Sequence, residues 1–240
     1  MTAADPDLRE RLLLAAETQL IASADNDIAT RAVCEAAGVS QPVLYRLFGD
    51  KQGLLKGLVE HGYRRYIARK AALAVTGDPV ADLRAGWDDH MEFARTNAAV
   101  YQLMFAPSPD GPPAARREIF DLLVRVLERV AAAGRLTIPP PRAAQAILAA
   151  NVGIALSQIT QPDVYDDPGL SARVRDAIFA AILAGPPPGG PASAPLAAAA
   201  IRLSAQLDLD DPAVLAAEEK ALLRRWLARL SGALAAGVSR

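Results

Sequence analysis

Apolar residues recur along this chain at spacings of three and four, and no sustained apolar–polar alternation occurs that would make a strand. Leu12, Ala15, Ala16, Gln19 and Leu20 share one face of a first helix over 8–23, with Leu13 flanking it. A polar break at Asp25-Asn26-Asp27 follows, then a short helix over 30–37 with Val33 and Ala37 inward. Gly38 stands just past its end, where a left-handed residue commonly closes a helix. Ser40 is placed to cap a third helix over 41–48, and Pro42 lies in its first turn, where the missing amide hydrogen costs little. Gly49-Asp50 ends that helix, and Asp50 caps a long fourth one over 51–74. Three short helices leading into a long one, with a glycine turn between the second and third, are helix-turn-helix organisation.

Further helices are predicted over 79–94, 98–105, 114–133, 142–160 and 169–183, separated by proline-marked loops at 107–113, 139–141 and 162–168. The Gly/Pro run over 185–191 is a linker by composition, and two more helices follow over 193–206 and 212–234. The expected architecture is all-α. It has a helix-turn-helix domain over 1–55, with the fourth helix linking the domains, and a second helical domain over 56–184. A Pro/Gly linker over 185–192 leads to a helical extension over 193–240.

Composition narrows the function. A hydrophobic content of 52% is too high for a disordered chain, and 26 basic against 27 acidic residues exclude a histone-like polycation. A single cysteine excludes a disulfide framework and a multi-cysteine zinc site. His61 and His90 lie far apart without ligand spacing, so no metal is expected. Cys34 reads as a small buried hydrophobe. The chain start carries Asp5 and Asp7 rather than a basic stretch, and apolar windows break before the ~20 residues that span a bilayer. The expectation is a cytoplasmic protein without a membrane partner. Asp88-Asp89 and Asp166-Asp167 are adjacent in sequence rather than paired across a helix face. No nucleophile–base pattern, phosphate loop or dinucleotide fingerprint is present, so neither catalytic residues nor a cofactor is expected.

The segment Ala36-Ala37-Gly38-Val39-Ser40-Gln41-Pro42-Val43-Leu44-Tyr45-Arg46-Leu47-Phe48-Gly49-Asp50-Lys51 is the most informative. Val43, Leu44, Leu47 and Phe48 bury the inner face of the third helix, leaving Gln41, Pro42, Tyr45 and Arg46 on or beside the outer one. Such a helix suits a major groove, where Gln pairs with adenine and Arg with guanine or phosphate. Tyr45 and Lys51 lie where backbone phosphates are met. Charge supports this weakly: residues 1–70 hold ten Lys/Arg and nine Asp/Glu. The footprint is therefore local, through Arg31, Arg46, Lys51 and Lys56, with Arg9 or Arg11 as additions.

Over about residues 9–60 the chain resembles the tetracycline-repressor (TetR) family of bacterial regulators. The resemblance rests on Thr30-Arg31-Ala32-Val33-Cys34-Glu35-Ala36-Ala37-Gly38-Val39-Ser40, on Leu44-Tyr45-Arg46-Leu47-Phe48, and on Asp50-Lys51 with Leu54-Leu55. It implies a homodimer that binds a palindromic double-stranded DNA operator and represses transcription until a small-molecule effector releases it. By the same resemblance Thr30 and Arg31 start the supporting helix, Ser40, Gln41, Pro42, Tyr45 and Arg46 belong to the reading helix, and Lys51 contacts phosphate. Two positions depart from the family pattern. Ala29 replaces a Ser or Thr cap, so that Asp27 is the substitute cap, and Gln52-Gly53 replaces an acidic–alanine pair, loosening the first turn of the fourth helix.

In the resembled fold a pocket forms among the fourth to eighth helices. That region offers Trp87, His90, Met91, Phe93, Tyr101, Met104, Phe105, Phe120, Leu123, Leu127, Asn151 and Gln158. Aromatic and methionine side chains around few polar groups suit a largely apolar effector, while each position equally fits plain core. His90 is either an exposed helical histidine or a pocket partner. Asn151 and Gln158 share a helix face, and Asn151 equally suits a dimer seam. Ala143, Ala146, Ile147, Ala150, Ile154 and Ser157 on one helix, and Val174, Ala177, Ile178, Ala181 and Ile182 on the next, match the family's dimer elements; the alternative is an intramolecular core. Ala146, Ala150, Ile154, Val174, Ile178 and Ala181 are the interface candidates. In the extension, Val214, Ala217, Ala221, Leu222, Trp226, Leu230 and Leu234 form an apolar face expected to pack on the regulatory domain or across the dimer, anchored by Trp226. An activator, an effector-independent regulator, a scaffold working through the extension and a helical-bundle enzyme are the alternatives.

Overall fold

A computed structural model of the chain describes residues 6–23, 27–105, 114–185, 196–210 and 214–231. Among the described residues there are helices and no strands. They are α1 (Pro6–Ala22), α2 (Thr30–Ala37), α3 (Gln41–Phe48), α4 (Lys51–Ala71), α5 (Pro79–Thr96), α6 (Ala98–Phe105), α7 (Ala114–Ala132), α8 (Pro140–Thr160), α9 (Leu170–Ile182), α10 (Leu196–Asp210) and α11 (Ala217–Leu230). The predicted breaks at Asp25-Asn26 and 107–113, the linker from residue 186, and Leu234 lie outside the described residues.

The helices form two compact units. The first runs to Ala72 and takes in Glu92–Arg116; the second comprises Leu73–Met91 and the chain from Arg117 onward. In the first unit α1 packs on α2, α4 and α6, and α3 packs on α2 and α4. Leu12, Leu13, Ala16 and Leu20 of α1 are buried with Val33, Leu44, Leu54, Leu58, Tyr63 and Tyr66. Leu13 is thus part of the buried face rather than its flank. Cys34 is buried too, and burial raises its thiol pKa.

Polar contacts tie the unit together at two points. Arg65 donates to both carboxylate oxygens of Glu17 at 2.8 Å and also to the Asn97 side chain. Arg116 donates to the Tyr63 hydroxyl at 2.8 Å and to the Met104 carbonyl at 2.7 Å; Tyr63 in turn donates to that same carbonyl. Tyr66 meets Phe93 edge-on, ring centres 5.0 Å apart.

The second unit has an apolar core built from Leu83, Trp87, Leu127, Val130, Ile147, Phe179 and Ile182, joined by Ile201 and Ala205 of α10. Its polar clamps lie at the periphery: Arg129 donates to Asp82 at 2.7 Å and to the Thr76 carbonyl at 2.7 Å. Trp87 donates its indole hydrogen to Ser171 at 3.0 Å. α10 therefore docks on the unit, whereas α11, the helix expected to pack there or across the dimer, packs on α10 through Leu223 and Leu227. Trp226 is 52% exposed, with Leu222, Leu230 and Val214, so the anchor role assigned to it does not hold within the chain. α11 carries apolar residues on two faces, and the one that α10 covers is not the broader.

α8 is the one described helix long and apolar enough, by length and composition, to cross a bilayer, contrary to the expectation that no window suffices. Its Ala143, Ala144, Ile147, Asn151, Ile154 and Ala155 are buried in the unit, which is the pattern of a core helix.

Two glycines of α4 set how closely α3 approaches it. A Cβ on Gly53 would lie 1.8 Å from the Phe48 carbonyl oxygen, and one on Gly57 would lie 2.9 Å from the Phe48 ring. Gly53 is therefore required by the packing rather than a loosening of the first turn. We expect Gly53→Ala to destabilise the protein by about 1–3 kcal/mol through overpacking against backbone. Gly86→Ala, in α5 where an added Cβ meets nothing within 4 Å, should instead stabilise by about 0.5–1 kcal/mol. Urea denaturation of the two variants beside the parent checks both signs.

Candidate nucleic-acid interface

The turn between α2 and α3 follows from its end residues. Gly38 takes φ 67°, and its amide and that of Val39 return to the Glu35 and Cys34 carbonyls, closing α2. α3 then starts at Gln41. Ser40 occupies the cap position with extended backbone but its hydroxyl makes no capping bond. The reason is local: Pro42 has no amide hydrogen to offer, and the Val43 amide donates to the Ser40 carbonyl instead. Asp50 does cap α4, accepting from the Gly53 amide at 2.7 Å.

Leu44 is fully buried and Val43, Leu47 and Phe48 are half-buried, so one face of α3 is spent on packing. Ser40, Gln41, Pro42, Tyr45 and Arg46 are left exposed on the other. Thr30, at the start of α2, places its hydroxyl 3.4 Å from that of Tyr45. Arg31 is exposed beside Thr30 and pairs with Glu35 at 3.1 Å. The eight candidate residues therefore come from three consecutive elements of a single unit.

The charges on this surface are only partly available. Lys51 lies 2.5 Å from the Asp27 carboxylate, which also accepts from the Ile28 amide at 2.9 Å. Asp27 does not cap α2, whose cap position is Ala29 without a side-chain bond. Its carboxylate is drawn to Lys51 instead. Among the described residues Arg46 and Lys56 have no acidic partner. Arg9 of α1 lies over the Phe48 ring at 4.9 Å from its centre, a contact that adjacency in sequence does not announce. The pair of glycines four apart, Gly53 and Gly57, is the sequence signal that would have disclosed the Phe48 seat.

The effector candidates divide between the units. Tyr101, Met104 and Phe105 belong to the first, where Tyr101 and Met104 are buried. Trp87, His90, Met91, Phe120, Leu123, Asn151 and Gln158 belong to the second. There Trp87, His90 and Asn151 are buried, while Met91, Phe120 and Leu123 pack against the core. The Asn151 side-chain oxygen is buried and accepts no hydrogen bond from any described group. Of the interface candidates, Ile154 is buried, Ala146, Ala150, Val174 and Ile178 are half-buried, and Ala181 is exposed. No group of His, Cys, Asp and Glu residues suited to a metal ion occurs among the described residues.

A glycine-closed turn, a short helix with one polar face outward, and a capped helix beneath it define a helix-turn-helix DNA-binding domain. Residues 12–58 match the family model of the bacterial regulatory proteins of the tetR family. Among solved structures, SmeT, the repressor of the Stenotrophomonas maltophilia multidrug efflux pump SmeDEF, is similar at 21% identity. The match covers 76% of this chain and 95% of SmeT, with a TM-score of 0.60. A TetR-family transcriptional regulator from Agrobacterium tumefaciens matches at 22% identity over 74% of this chain and 98% of its own, TM-score 0.59. A protein of unknown function from Rhodococcus sp. RHA1 matches at 25% identity over 77% and 100%, TM-score 0.60. No curated protein sequence matches. The family match is thus confined to the N-terminal segment that carries α1 to α3 and the start of α4.

The ion pair at the start of α4 makes a measurable prediction. The Lys51 ammonium bonds to Asp27 and, with the Ile28 amide, holds its carboxyl below the usual carboxylate range. A depressed folded-state pKa stabilises above the unfolded value and is lost as pH falls through the folded one. Lys51→Ala should move the Asp27 titration upward toward the ordinary value. Carboxyl-carbon NMR against pH reads this directly; an unmoved Asp27 midpoint would show that the pair does not persist in solution.

Proposed function

We propose that the protein is a homodimeric, ligand-responsive repressor of the cytoplasm. In this reading it binds a palindromic double-stranded DNA operator and is released by a small, largely apolar molecule. The observation that carries the DNA half is the division of α3 into a packed face, centred on Leu44, and an exposed face of Ser40, Gln41, Pro42, Tyr45 and Arg46. A helix so divided presents its side chains to a major groove while its backbone stays fixed to the domain. Gln41 would read a base edge, and Thr30, Tyr45 and Lys51 would meet phosphates, with Arg31 and Arg46 supplying charge. The described similarity to SmeT, itself a repressor, supports the repressing sense.

The effector half rests on Asn151. A buried amide oxygen without a donor is costly in an apolar interior. A bound molecule with one hydrogen-bond donor and an otherwise apolar body would satisfy it, within the unit that also buries Trp87 and His90. α5 and α7 run unbroken from one unit into the other. In this reading a ligand-driven change in the second unit alters the placement of the paired reading helices. A coupling of ~1–3 kcal/mol suffices for a useful response. For dimerisation, the exposed Ala177, Ala180 and Ala181 of α9 and Ala149 and Gly153 of α8 offer a surface of small residues on which two copies pack closely. This refines the candidate set outward from Ile154.

Selection from a randomised duplex library at about 0.15 M salt tests the reading. A strongly enriched palindrome with half-sites one helical turn apart is the expected result. Gln41→Ala should then relax preference at one base pair by ~1–3 kcal/mol, whereas Tyr45→Ala should weaken all sequences alike. Absence of any enriched motif, or enrichment of a single half-site by a monomer, would refute the dimeric operator reader.

The effector reading has its own check. Asn151→Leu removes an unsatisfied buried amide and should raise the stability of the ligand-free protein by about 1 kcal/mol. A loss of stability in urea denaturation would mean that Asn151 is already satisfied, and that it is no docking point for a ligand.

A further inference from the structure

Within the first unit, α1 and α4 leave between them a cleft of about 430 Å³. Arg9 and Leu13 line it from α1, and His61, Arg64, Arg65 and Ala68 from α4. The α4 positions recur at three and four, so they stand on one helical face. Glu10 is the single carboxylate in the lining. The three guanidinium groups are held in different ways. Arg65 is fixed by Glu17, at 2.8 Å to each oxygen, and by Asn97. Arg9 is held by its stacking on Phe48. Arg64 is exposed and has no acidic partner among the described residues. Buried Leu13, together with Ala68, supplies an apolar lining beside these charges.

We propose that this cleft is a binding site for a small organic anion, a carboxylate carrying a short alkyl chain, with Arg64 as its principal anchor. Its anchor stands apart from the DNA surface: Arg64 lies about 20 Å along the α4 axis from Lys51, at 1.5 Å per residue. Arg65 is held by Glu17 and Arg9 by Phe48, so Arg64 is the cation left to make a charge-assisted bond to the carboxylate. The apolar lining selects an anion with a hydrocarbon part over an inorganic one.

His61 reports on the site. Burial and the Arg65 and Arg64 charges depress its pKa, against the opposing pull of Glu17 and Glu10. A carboxylate bound beside Arg64 offsets those cations and raises the His61 pKa, so binding takes up a proton and tightens as pH falls. Arg9 extends the consequence toward α3, because the side chain that lines the cleft also stacks on the Phe48 ring. An occupant that draws Arg9 inward acts on the seat of the reading helix without involving the second unit.

The test is NMR titration of the full chain with octanoate, following the imidazole resonances of His61, with 1-octanol and octylammonium as neutral and cationic isosteres. Octanoate should move the His61 signals and raise the His61 pKa. Both isosteres should bind there at least about ten-fold more weakly. Arg64→Gln should weaken octanoate at this site by about ten-fold or more with the thermal midpoint unchanged, since Arg64 is exposed and unpaired. Ala68→Glu, which sets a carboxylate in the wall, should do the same. Octanoate binding that leaves His61 unmoved places the ligand elsewhere and overturns the proposal. Equal perturbation by octanol, or full affinity in Arg64→Gln, overturns it as well.

Discussion

The orientation of α3 depends on one contact, the seating of Phe48 against the glycine face of α4. An eight-residue helix has no stability of its own in water, so its direction is whatever its packing dictates. Leu44 is buried at its centre, and Phe48 lies at its end where Gly53 and Gly57 leave no side chain in the way. Arg9 closes over the ring from α1, a cation–π contact of about 0.5–1 kcal/mol at a partly exposed site. The Asp50 carboxylate bonds to the Gly53 amide at 2.7 Å, so the residue that must lack a Cβ also donates the capping bond. Exposure of Gln41, Tyr45 and Arg46 follows from these contacts, since the opposite face of α3 is fully committed.

The two units solve the burial of polar groups differently. In the first, Arg65 and Arg116 reach across helices into partly buried acceptors, tying α1, α4 and α6 through Glu17, Asn97, Tyr63 and Met104. In the second, charged clamps such as Arg129–Asp82 stay at the edge, while the middle is apolar and left with the unmatched Asn151 oxygen. The Asp82 carboxyl is held below its usual range by Thr76 and Arg129, as a structural pair should be. A site for the proposed, largely apolar effector is better placed in the second kind of interior, where one unmet hydrogen bond supplies direction.

How much of this was legible in sequence depended on the range of the interaction that decides it. α2, α3 and α6 match their predicted limits because Gly38, Pro42, Asp50 and the break at Asn97 act within a turn of the helix ends. Ser40 caps nothing for an equally local reason: Pro42 removes one of the amides that its hydroxyl would cap. Gly53 looked like a weakness because propensity is a property of one helix, while its requirement comes from a carbonyl on another. α11 shows the same limit. Leu222, Trp226 and Leu230 share one face and Leu223 and Leu227 another, and only the presence of α10 decides which is covered. Burial of Trp87, Tyr101 and Asn151 was foreseeable from their setting, but not the division of the candidates between two units.

Charge placement bears on what a DNA surface of this kind reads. Two of its cations have internal partners, Lys51 with Asp27 at 2.5 Å and Arg31 with Glu35 at 3.1 Å. In the proposed complex phosphates compete with these carboxylates for the same ammonium and guanidinium groups. The favourable release of counterions is correspondingly smaller, because those cations arrive partly neutralised. A base contact from Gln41 carries no such internal competitor, since its side chain is uncharged and outward-facing. Phosphate attraction is therefore weakened for every sequence, while base-edge contacts keep their full strength at the sequence they fit. A nearly neutral domain is in this way consistent with selective DNA binding: its ratio of specific to nonspecific affinity rises as its overall electrostatic pull falls.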